Sequence, residues 1–186
     1  MDFETTGLDL DRDAIVSYGL VPIDDGRVRV GGSEHQLIDP RVPPSPRSQR
    51  IHELRPLDLA GSPRIADARE HLAAGLAGRF LLAWFAEVEI RFLQRTFGGP
   101  MGSWRRRTID VRNLALAAAG EPRDARSRLG YSLSKTAKNY GIPVENPHDA
   151  LDDAFVTAEL FLVLAEAAVG SDRRPTVRTL LRIGGA

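Results

Sequence analysis

The order of apolar segments along the chain limits most strongly which fold it can adopt. Residues 14–23 (AIVSYGLVPI) are rich in strand-forming residues and run into Asp24-Asp25-Gly26, which is typical of a tight turn. A hairpin or meander is therefore predicted to continue through residues 27–31 and 36–38. Further along, short apolar runs alternate with segments of helical periodicity. An antiparallel start followed by β–α alternation predicts an α/β fold, with a mixed sheet flanked by helices.

The remaining segments follow the same logic. Residues 40–63 are rich in Pro, Ser and Arg, which indicates a surface loop with a short turn near 51–54. Ser62-Pro63 is typical of a helix start, and Gly78 can end that helix. The run FLLAWF at 80–85 is predicted as a strand buried on both faces. A further strand is predicted over 108–111, a charged loop over 120–130, and helices over 87–97, 113–119, 132–141 and 150–169.

Domain organisation is predicted to be simple. One domain is expected over residues 1–170, and residues 171–186 are expected to form either a docked helix or a loose tail. The first aspartate is preceded by Met1 alone, whereas a strand at the centre of a sheet usually has several more apolar residues. We therefore expect the chain to be a shortened version of a longer functional protein.

Composition excludes several kinds of site. The 186 residues include no cysteine, so disulfides and thiolate metal sites are excluded, and any metal must be held by oxygen or histidine ligands. No apolar stretch approaches the ~20 residues of a membrane helix. The acidic start lacks the basic residues of a secretory signal. A cytoplasmic protein without a membrane partner is expected.

Charge gives a weaker indication. Lys+Arg and Asp+Glu both number 25, so bulk charge does not favour nucleic-acid binding. Arginines are nevertheless grouped, and grouped arginines are more often a solvated surface than a phosphate-binding one. The groups are Arg41, Arg47 and Arg50, then Arg105-Arg106-Arg107, and Arg123, Arg126 and Arg128.

The first residues carry the strongest chemical signal. Asp2 and Glu4 are two apart, so on a strand both carboxylates point to the same face. Two adjacent like charges repel unless a cation neutralises them, and hard oxygen ligands suit Mg²⁺ or Mn²⁺. For an isolated pair of this kind, an exposed acidic strand end is the more common explanation.

The longer string Asp2-Phe3-Glu4-Thr5-Thr6-Gly7-Leu8 resembles the first motif of the DnaQ-like DEDDh 3′→5′ exonucleases, the family of the polymerase III epsilon subunit and RNase T. The resemblance implies an RNase H-like fold in which the two acids bind catalytic metal ions. It also implies that the backbone at Thr5 and Thr6 holds the terminal nucleotide, and that Leu8 packs against its base.

Two later segments extend the resemblance. Ile51-His52-Glu53-Leu54 is similar to the family's I-H-G-[IL] turn, with Glu53 in place of glycine, and Tyr131-Ser132-Leu133 with Tyr140–Pro143 resembles the segment before the third motif. In that motif, residues 148–154 (HDALDDA), the family spacing selects His148 and Asp153. A lone loop histidine is more often a surface residue, and Asp149 and Asp152 are expected to be a helix-end charge and a solvent-facing acid.

The middle motif departs from the family. Residues 81–93 (LLAWFAEVEIRFL) align with the usual L-V-A-H-N-A-x-F-D-x-x-F-L, so Glu89 replaces the aspartate and Trp84-Phe85 replace His-Asn. Glutamate keeps the charge and oxygen donors, although a helix-surface role remains the alternative. Trp84 and Phe85 are expected in the core rather than as nucleotide stackers. His52 and Phe92 complete the substrate contacts implied by the resemblance.

The resemblance implies a metal-dependent 3′→5′ exonuclease that removes nucleoside 5′-monophosphates from single-stranded or frayed 3′ ends. Two Mg²⁺ or Mn²⁺ ions would lie among Asp2, Glu4, Glu89 and Asp153, with His148 as general base. Single-stranded DNA or RNA 3′ ends are the expected partners, together with a polymerase or another protein. The alternative is a non-catalytic DnaQ-like module that binds nucleic acid or a partner, which the Glu89 substitution and the short first strand favour.

Overall fold

The computed structural model describes residues 1–123, 132–170 and 174–186. Within those ranges the strands are β1 (Asp2–Thr5), β2 (Ile15–Leu20), β3 (Ile23–Asp24), β4 (Arg27–Val28), β5 (Glu34–Leu37), β6 (Leu81–Ala83) and β7 (Thr108–Asp110). The α-helices are α1 (Pro46–His52), α2 (Pro56–Leu59), α3 (Ile65–Leu76), α4 (Glu87–Phe97), α5 (Met101–Arg105), α6 (Val111–Ala118), α7 (Leu133–Asn139), α8 (Ala150–Val169) and α9 (Val177–Gly184). Val30–Gly32 forms one 3₁₀ turn.

Antiparallel and parallel strand pairs are both present, as the sequence predicted. β2 lies between β1 and β5 and is antiparallel to both, whereas β6 and β7 pair in parallel. A hydrogen bond of 2.8 Å from the Met1 nitrogen to the Leu82 carbonyl oxygen connects the start of β1 to β6. The predicted tight turn joins β3 and β4, with Asp25 and Gly26 both in the left-handed region at φ 53° and 69°. Positive φ at both central residues is the turn geometry that fits a two-residue hairpin.

Helix α8 is the main element covering the sheet, since it packs against β1, β2 and α6. Its first turn reaches the backbone of β2 at Gly19, where an added Cβ would lie 2.1 Å from the Ala150 carbonyl oxygen. Only glycine permits that approach. Because Gly19 is the antiparallel partner of Asp2, the contact brings the first turn of α8 beside the first strand.

The Pro-rich segment is more ordered than predicted. Instead of a loop with one turn, it contains α1 and α2. The local reason is visible in the sequence, because Ser45 accepts a hydrogen bond from the Ser48 nitrogen and Pro46 occupies the first helical position. A serine followed by proline is a helix-start signal that the overall loop-like composition hides.

Helix α3 begins later than predicted. Its N-cap is Arg64, whose backbone nitrogen donates to the Asp67 carboxylate at 3.3 Å, and not Ser62. The Pro63 carbonyl oxygen instead accepts a hydrogen bond of 2.9 Å from the Asp39 nitrogen, which ties the preceding loop to the end of β5. A tertiary contact has therefore taken the place of the local cap.

The last described segment is a docked helix, one of the two alternatives predicted for residues 171–186. Helix α9 packs against α6, α8 and β7, and Arg123 donates to the backbone carbonyl oxygens of Arg182, Ile183 and Gly185. Residues 124–131 and 171–173 lie outside the described residues, and with them Tyr131, Arg126, Arg128 and most of the predicted charged loop. No helix among the described residues is long and apolar enough to cross a membrane.

Candidate active site

Four carboxylates converge from three elements. Asp2 and Glu4 lie on β1, Glu89 on the first turn of α4, and Asp153 on the first turn of α8. Strand β1 and helix α8 pack directly on each other, and Asp2 is close enough to Glu89 for their charges to interact. The acids that the motifs selected are therefore brought together in one cluster.

The electrostatics show how close these groups are. Burial, followed by the charge of Asp153, raises the pKa of Asp2 to about 8. Burial, followed by the charges of Asp2 and Asp153, raises the pKa of Glu4 to about 9. Burial and the nearby Asp2 also raise the pKa of Glu89, and burial raises that of Asp153. Each carboxylate is disfavoured by desolvation and, in most cases, by its acidic neighbours, while the Met1 ammonium favours the ionised forms of Asp2 and Glu89.

The donor set fits a hard divalent cation. One ligand atom each from Glu4, His148 and Asp153 lies within 4.8 Å of the others. Glu89 Oε2 and Asp153 Oδ1 are buried and have no hydrogen-bond partner in the part of the chain that the structure describes. A buried carboxylate oxygen without a donor is costly, and Mg²⁺ or Mn²⁺ is the kind of ion that such oxygens bind. Of the four acids, Glu4 and Asp153 thus share a possible cation site, and the third residue of that group is His148 rather than Asp2 or Glu89.

His148 lies at the rim of the cluster. Its side chain is exposed, its φ is 68°, and its backbone nitrogen donates to Asp153 Oδ2 at 3.1 Å. Asp149 has the helix-end role predicted for it, whereas Asp152 does not face solvent fully as predicted. Asp149 caps α8 by accepting from the nitrogens of Leu151 and Asp152 at 2.9 and 3.1 Å. Asp152 is half-buried and accepts from the Asn146 side chain.

Glu87 and Glu89 differ clearly in environment, although both lie in the first turn of α4. Glu87 pairs with Arg91 at 2.7 Å and with Arg105 at 2.6 Å, on the outer face. Glu89 is 4% exposed and faces the acid cluster. Only the second of these two acids is therefore directed toward the other carboxylates.

The loop between β1 and β2 holds the residues expected at the terminal nucleotide. Thr5 and Thr6 are buried, and their hydroxyls donate to the Gly7 carbonyl and the Asp13 carboxylate, both at 2.8 Å. Leu8 projects from this loop and is 72% exposed. Arg95 on α4 donates to two backbone carbonyl oxygens of the same loop, those of Leu10 and Asp13. The side chains thus fix the loop internally and leave Leu8 available to a ligand.

His52 is the other buried group near this loop. Its Nδ1 accepts from the Leu54 nitrogen at 3.1 Å, while its Nε2 is buried without a hydrogen-bond partner among the described residues. Burial lowers the pKa of His52, which favours the neutral ring. Because Nδ1 accepts a hydrogen bond, the neutral ring carries its proton on Nε2, which can donate to a bound nucleotide.

Two aromatic residues do not lie where the sequence predicted. Phe92 is 2% exposed and belongs to the hydrophobic core, so it is not available as a substrate contact. Phe85 was expected in the core, but it is 40% exposed at φ 61°. The predicted strand stops at Ala83 because the chain turns at Trp84 and Phe85 into α4. Trp84 does pack against the core, as expected.

The sequence did not single out Asp110 as part of this region. It ends β7, caps α6 by accepting from the Arg112 nitrogen at 3.0 Å, and also accepts from the Phe85 nitrogen at 3.2 Å. Its charge contributes to the raised pKa of Glu89. An aspartate between a short apolar run and a helical segment was a visible capping signal, but its contact with Phe85 depends on the parallel pairing of β6 and β7.

The comparisons with known proteins identify the family of the chain. The model of the RNase T exonuclease family matches residues 1–161. The chain belongs to this exonuclease family. The match confirms the resemblance drawn from the motifs.

Among curated relatives, the exonuclease chain is 34% identical over 167 residues to DNA polymerase III PolC-type of Thermotoga petrophila, covering 89% of this chain and 12% of that protein. It is 25% identical over 166 residues to the DNA polymerase III subunit epsilon of Aquifex aeolicus, covering 89% of this chain and 79% of that protein. The chain therefore spans only about an eighth of the PolC-type relatives, and most of the epsilon subunit.

Solved structures show the same fold. Exonuclease X in complex with 5′ overhanging duplex DNA superposes with a TM-score of 0.70 at 24% identity, covering 99% of this chain and 97% of that one. Escherichia coli exonuclease I in complex with a dT13 oligonucleotide gives a TM-score of 0.73 at 17% identity, covering 89% and 40%. The fold is the RNase H-like mixed α/β fold predicted from the sequence.

Proposed function

We propose that this chain is a metal-dependent 3′→5′ exonuclease that releases nucleoside 5′-monophosphates from single-stranded or frayed 3′ ends. The observation that carries the proposal is the convergence of Asp2, Glu4, Glu89 and Asp153, with buried oxygens of Glu89 and Asp153 lacking a hydrogen-bond donor within the described ranges. Membership of the exonuclease family supports a phosphodiester as the substrate.

The four acids would hold two Mg²⁺ or Mn²⁺ ions. When bound, such ions lower the pKa of a coordinated water and stabilise charge on a phosphate and its leaving oxygen. The chain supplies the negative charge that binds them, and cation binding offsets the mutual repulsion of carboxylates whose pKa values are raised.

His148 is proposed as the general base. Its exposed imidazole stands at the rim of the cluster, and its backbone is tied to Asp153. An imidazole nitrogen in this place can accept the proton of the attacking water, and a positioned base of this kind contributes typically ~10²–10⁴-fold to rate. Because Asp153 also helps to bind the metal, the base and the metal site keep a fixed spacing.

The terminal nucleotide is proposed to bind at the β1–β2 loop. The backbone at Thr5 and Thr6 would hold it, Leu8 would pack against its base, and His52 would offer its unpartnered Nε2. Because the terminal base must leave its stack to reach buried acids, a single-stranded or frayed end fits best. The DNA polymerase III names of the relatives favour DNA as substrate and a polymerase as partner.

The test uses one oligonucleotide labelled at the 5′ end and, separately, at the 3′ end, as DNA and as RNA. With Mg²⁺ or Mn²⁺, the 5′-labelled oligonucleotide should shorten in one-nucleotide steps. The 3′-labelled oligonucleotide should release its label at once as a mononucleotide. EDTA should stop both reactions, and Asp153→Asn, purified in parallel, should be inactive. Internal cuts would overturn the exonuclease assignment. Binding without cleavage under any metal would favour the non-catalytic module.

A further inference from the structure

An exposed aromatic side chain stands next to the acid cluster in an unfavourable backbone conformation. Phe85 is 40% exposed and has a φ of 61°. Left-handed φ is uncommon outside glycine, asparagine and aspartate, and for a bulky residue it is a true outlier. Backbone strain of this kind clusters at functional sites, where the surroundings hold it in place.

Two groups from the neighbouring strand and helix hold Phe85. The Asp110 carboxylate accepts from the Phe85 nitrogen at 3.2 Å, across the parallel pair of strands. The Arg112 guanidinium lies over the ring, 5.4 Å from its centroid. The first contact fixes the backbone, and the second places a cation on the aromatic face while the ring stays accessible to solvent.

Two features relate Phe85 to the acids: its place in the sequence just before α4, and its contact with Asp110. Phe85 directly precedes the N-cap of α4, and Glu89 lies in the first turn of that helix. Asp110, which binds the Phe85 nitrogen, is also close enough to Glu89 to influence its ionisation. Phe85 therefore lies four residues before Glu89, at the start of the helix that carries this acid.

We propose that Phe85, with Arg112 over its ring, is a stacking platform for a base of the single-stranded substrate close to the scissile phosphate. The proposal rests on the exonuclease function proposed above. Bases of any sequence stack on an aromatic ring, and a neighbouring arginine adds attraction to both the base and the phosphate backbone. Such a platform keeps the strand beside the site without reading its sequence.

The same strand provides a matched control. Phe80, just before β6, is 52% exposed at the opposite end of that strand from Phe85. The test variants are Phe85→Asn, which removes the ring with a residue that tolerates left-handed φ, and Phe85→Tyr, which keeps a ring. Phe80→Asn removes an exposed ring of the same type away from the acids.

Each variant is assayed with Mn²⁺ on a dT oligonucleotide and on a thymidine 5′-phosphate p-nitrophenyl ester, which has no neighbouring base. For Phe85→Asn, we expect the ratio of kcat/KM for the oligonucleotide to that for the ester to fall about tenfold, mainly through KM. Phe85→Tyr should restore the ratio, and Phe80→Asn should leave it unchanged. Wild type should cleave an oligonucleotide with one abasic nucleotide near its 3′ end more slowly than the intact oligonucleotide. On the abasic oligonucleotide, Phe85→Asn should be little slower than wild type.

Three results would overturn the proposal. They are an unchanged ratio for Phe85→Asn, a fall of equal size for Phe80→Asn, and full additivity of the abasic site with Phe85→Asn. Failure of the exonuclease function itself would look different, because wild type would then hydrolyse neither substrate. In that event, binding of the same dT oligonucleotide with Ca²⁺ would still test the platform, since Phe85→Asn should weaken it about tenfold and Phe80→Asn should not.

Discussion

The backbone nitrogen of His148 donates a hydrogen bond of 3.1 Å to the Asp153 carboxylate. The contact comes from the main chain, so it does not depend on the imidazole. It also holds His148 at a φ of 68° beside the start of α8. Substitution of the ring should therefore leave the acid in place, which separates a role in proton transfer from a role in metal binding.

His148→Ala should slow turnover by roughly 10²–10⁴-fold, the usual loss for a general base, while Mn²⁺ affinity stays close to wild type. Single-turnover rates and calorimetric Mn²⁺ titration measure the two effects. His35→Ala, at another exposed histidine on β5, is the control and should change neither. Loss of Mn²⁺ binding in His148→Ala would instead make the imidazole a metal ligand.

Glu89→Gln should abolish most metal-dependent cleavage, because it removes the charge of a buried acid facing Asp2. Glu87→Gln is the matched control, two residues away in the same helical turn. It loses only partly exposed pairs with Arg91 and Arg105, and pairs open to solvent contribute little to stability. Equal losses of activity in the two variants would show that the middle motif has been aligned incorrectly.

Metal-free protein should become less stable as pH rises from 7 to 9.5. The folded-state pKa values of Asp2 and Glu4 are raised, to about 8 and about 9, so the folded state binds more protons than the unfolded chain. The stability from these protonated acids is fully present below the unfolded pKa of about 4 and is lost as pH rises through the folded values.

Melting temperatures measured in EDTA and in Mn²⁺ across this window test the point. The melting temperature should fall with pH in EDTA, and the increase produced by Mn²⁺ should grow with pH, since the metal replaces the protons. The double variant with Asp2→Asn and Glu4→Gln should flatten both trends. A melting temperature in EDTA that rises between pH 7 and 9.5 would contradict the argument.

Gly19→Ala should lower both stability and activity. The new Cβ would lie 2.1 Å from the Ala150 carbonyl oxygen, so α8 must shift and carry Asp153 with it. Overpacking costs typically ~1–3 kcal/mol, and each kcal/mol lowers the melting temperature by roughly 2–4 °C in a chain of this size. Gly31→Ala, where nothing lies within 4 Å, is the control for thermal melts and cleavage rates. Equal melting temperatures for the two variants would refute the contact.

The sequence correctly predicted those helices and turns whose conformation depends on neighbouring residues in the chain. Helices α4 and α8 begin and end where periodicity placed them, and the turn at Asp25-Gly26 follows from residues that accept positive φ. The two-residue spacing of Asp2 and Glu4 likewise fixed their common face. For the acids from separate elements, the motif order of the family supplied what periodicity could not.

The errors arose where a distant residue decides the local conformation. Phe85 leaves the core because Asp110, at the end of strand β7, accepts a hydrogen bond from the Phe85 backbone nitrogen. Strand β6 therefore ends before Phe85. Helix α3 starts late because Pro63 is engaged by Asp39 from the preceding strand region. Neither contact has a signal within the window over which hydrophobic periodicity is read.

The cluster joins acids from the second and the hundred-and-fifty-third residues, and that separation sets an order of events during synthesis. A ribosome makes β1 early and the first turn of α8 late. Until α8 has emerged and docked at Gly19, Asp153 cannot join Asp2 and Glu4 around a cation. Contacts between such distant segments require closure of a long loop, which delays them in folding. Hydrolysis by the proposed cluster would therefore have to await the docking of α8.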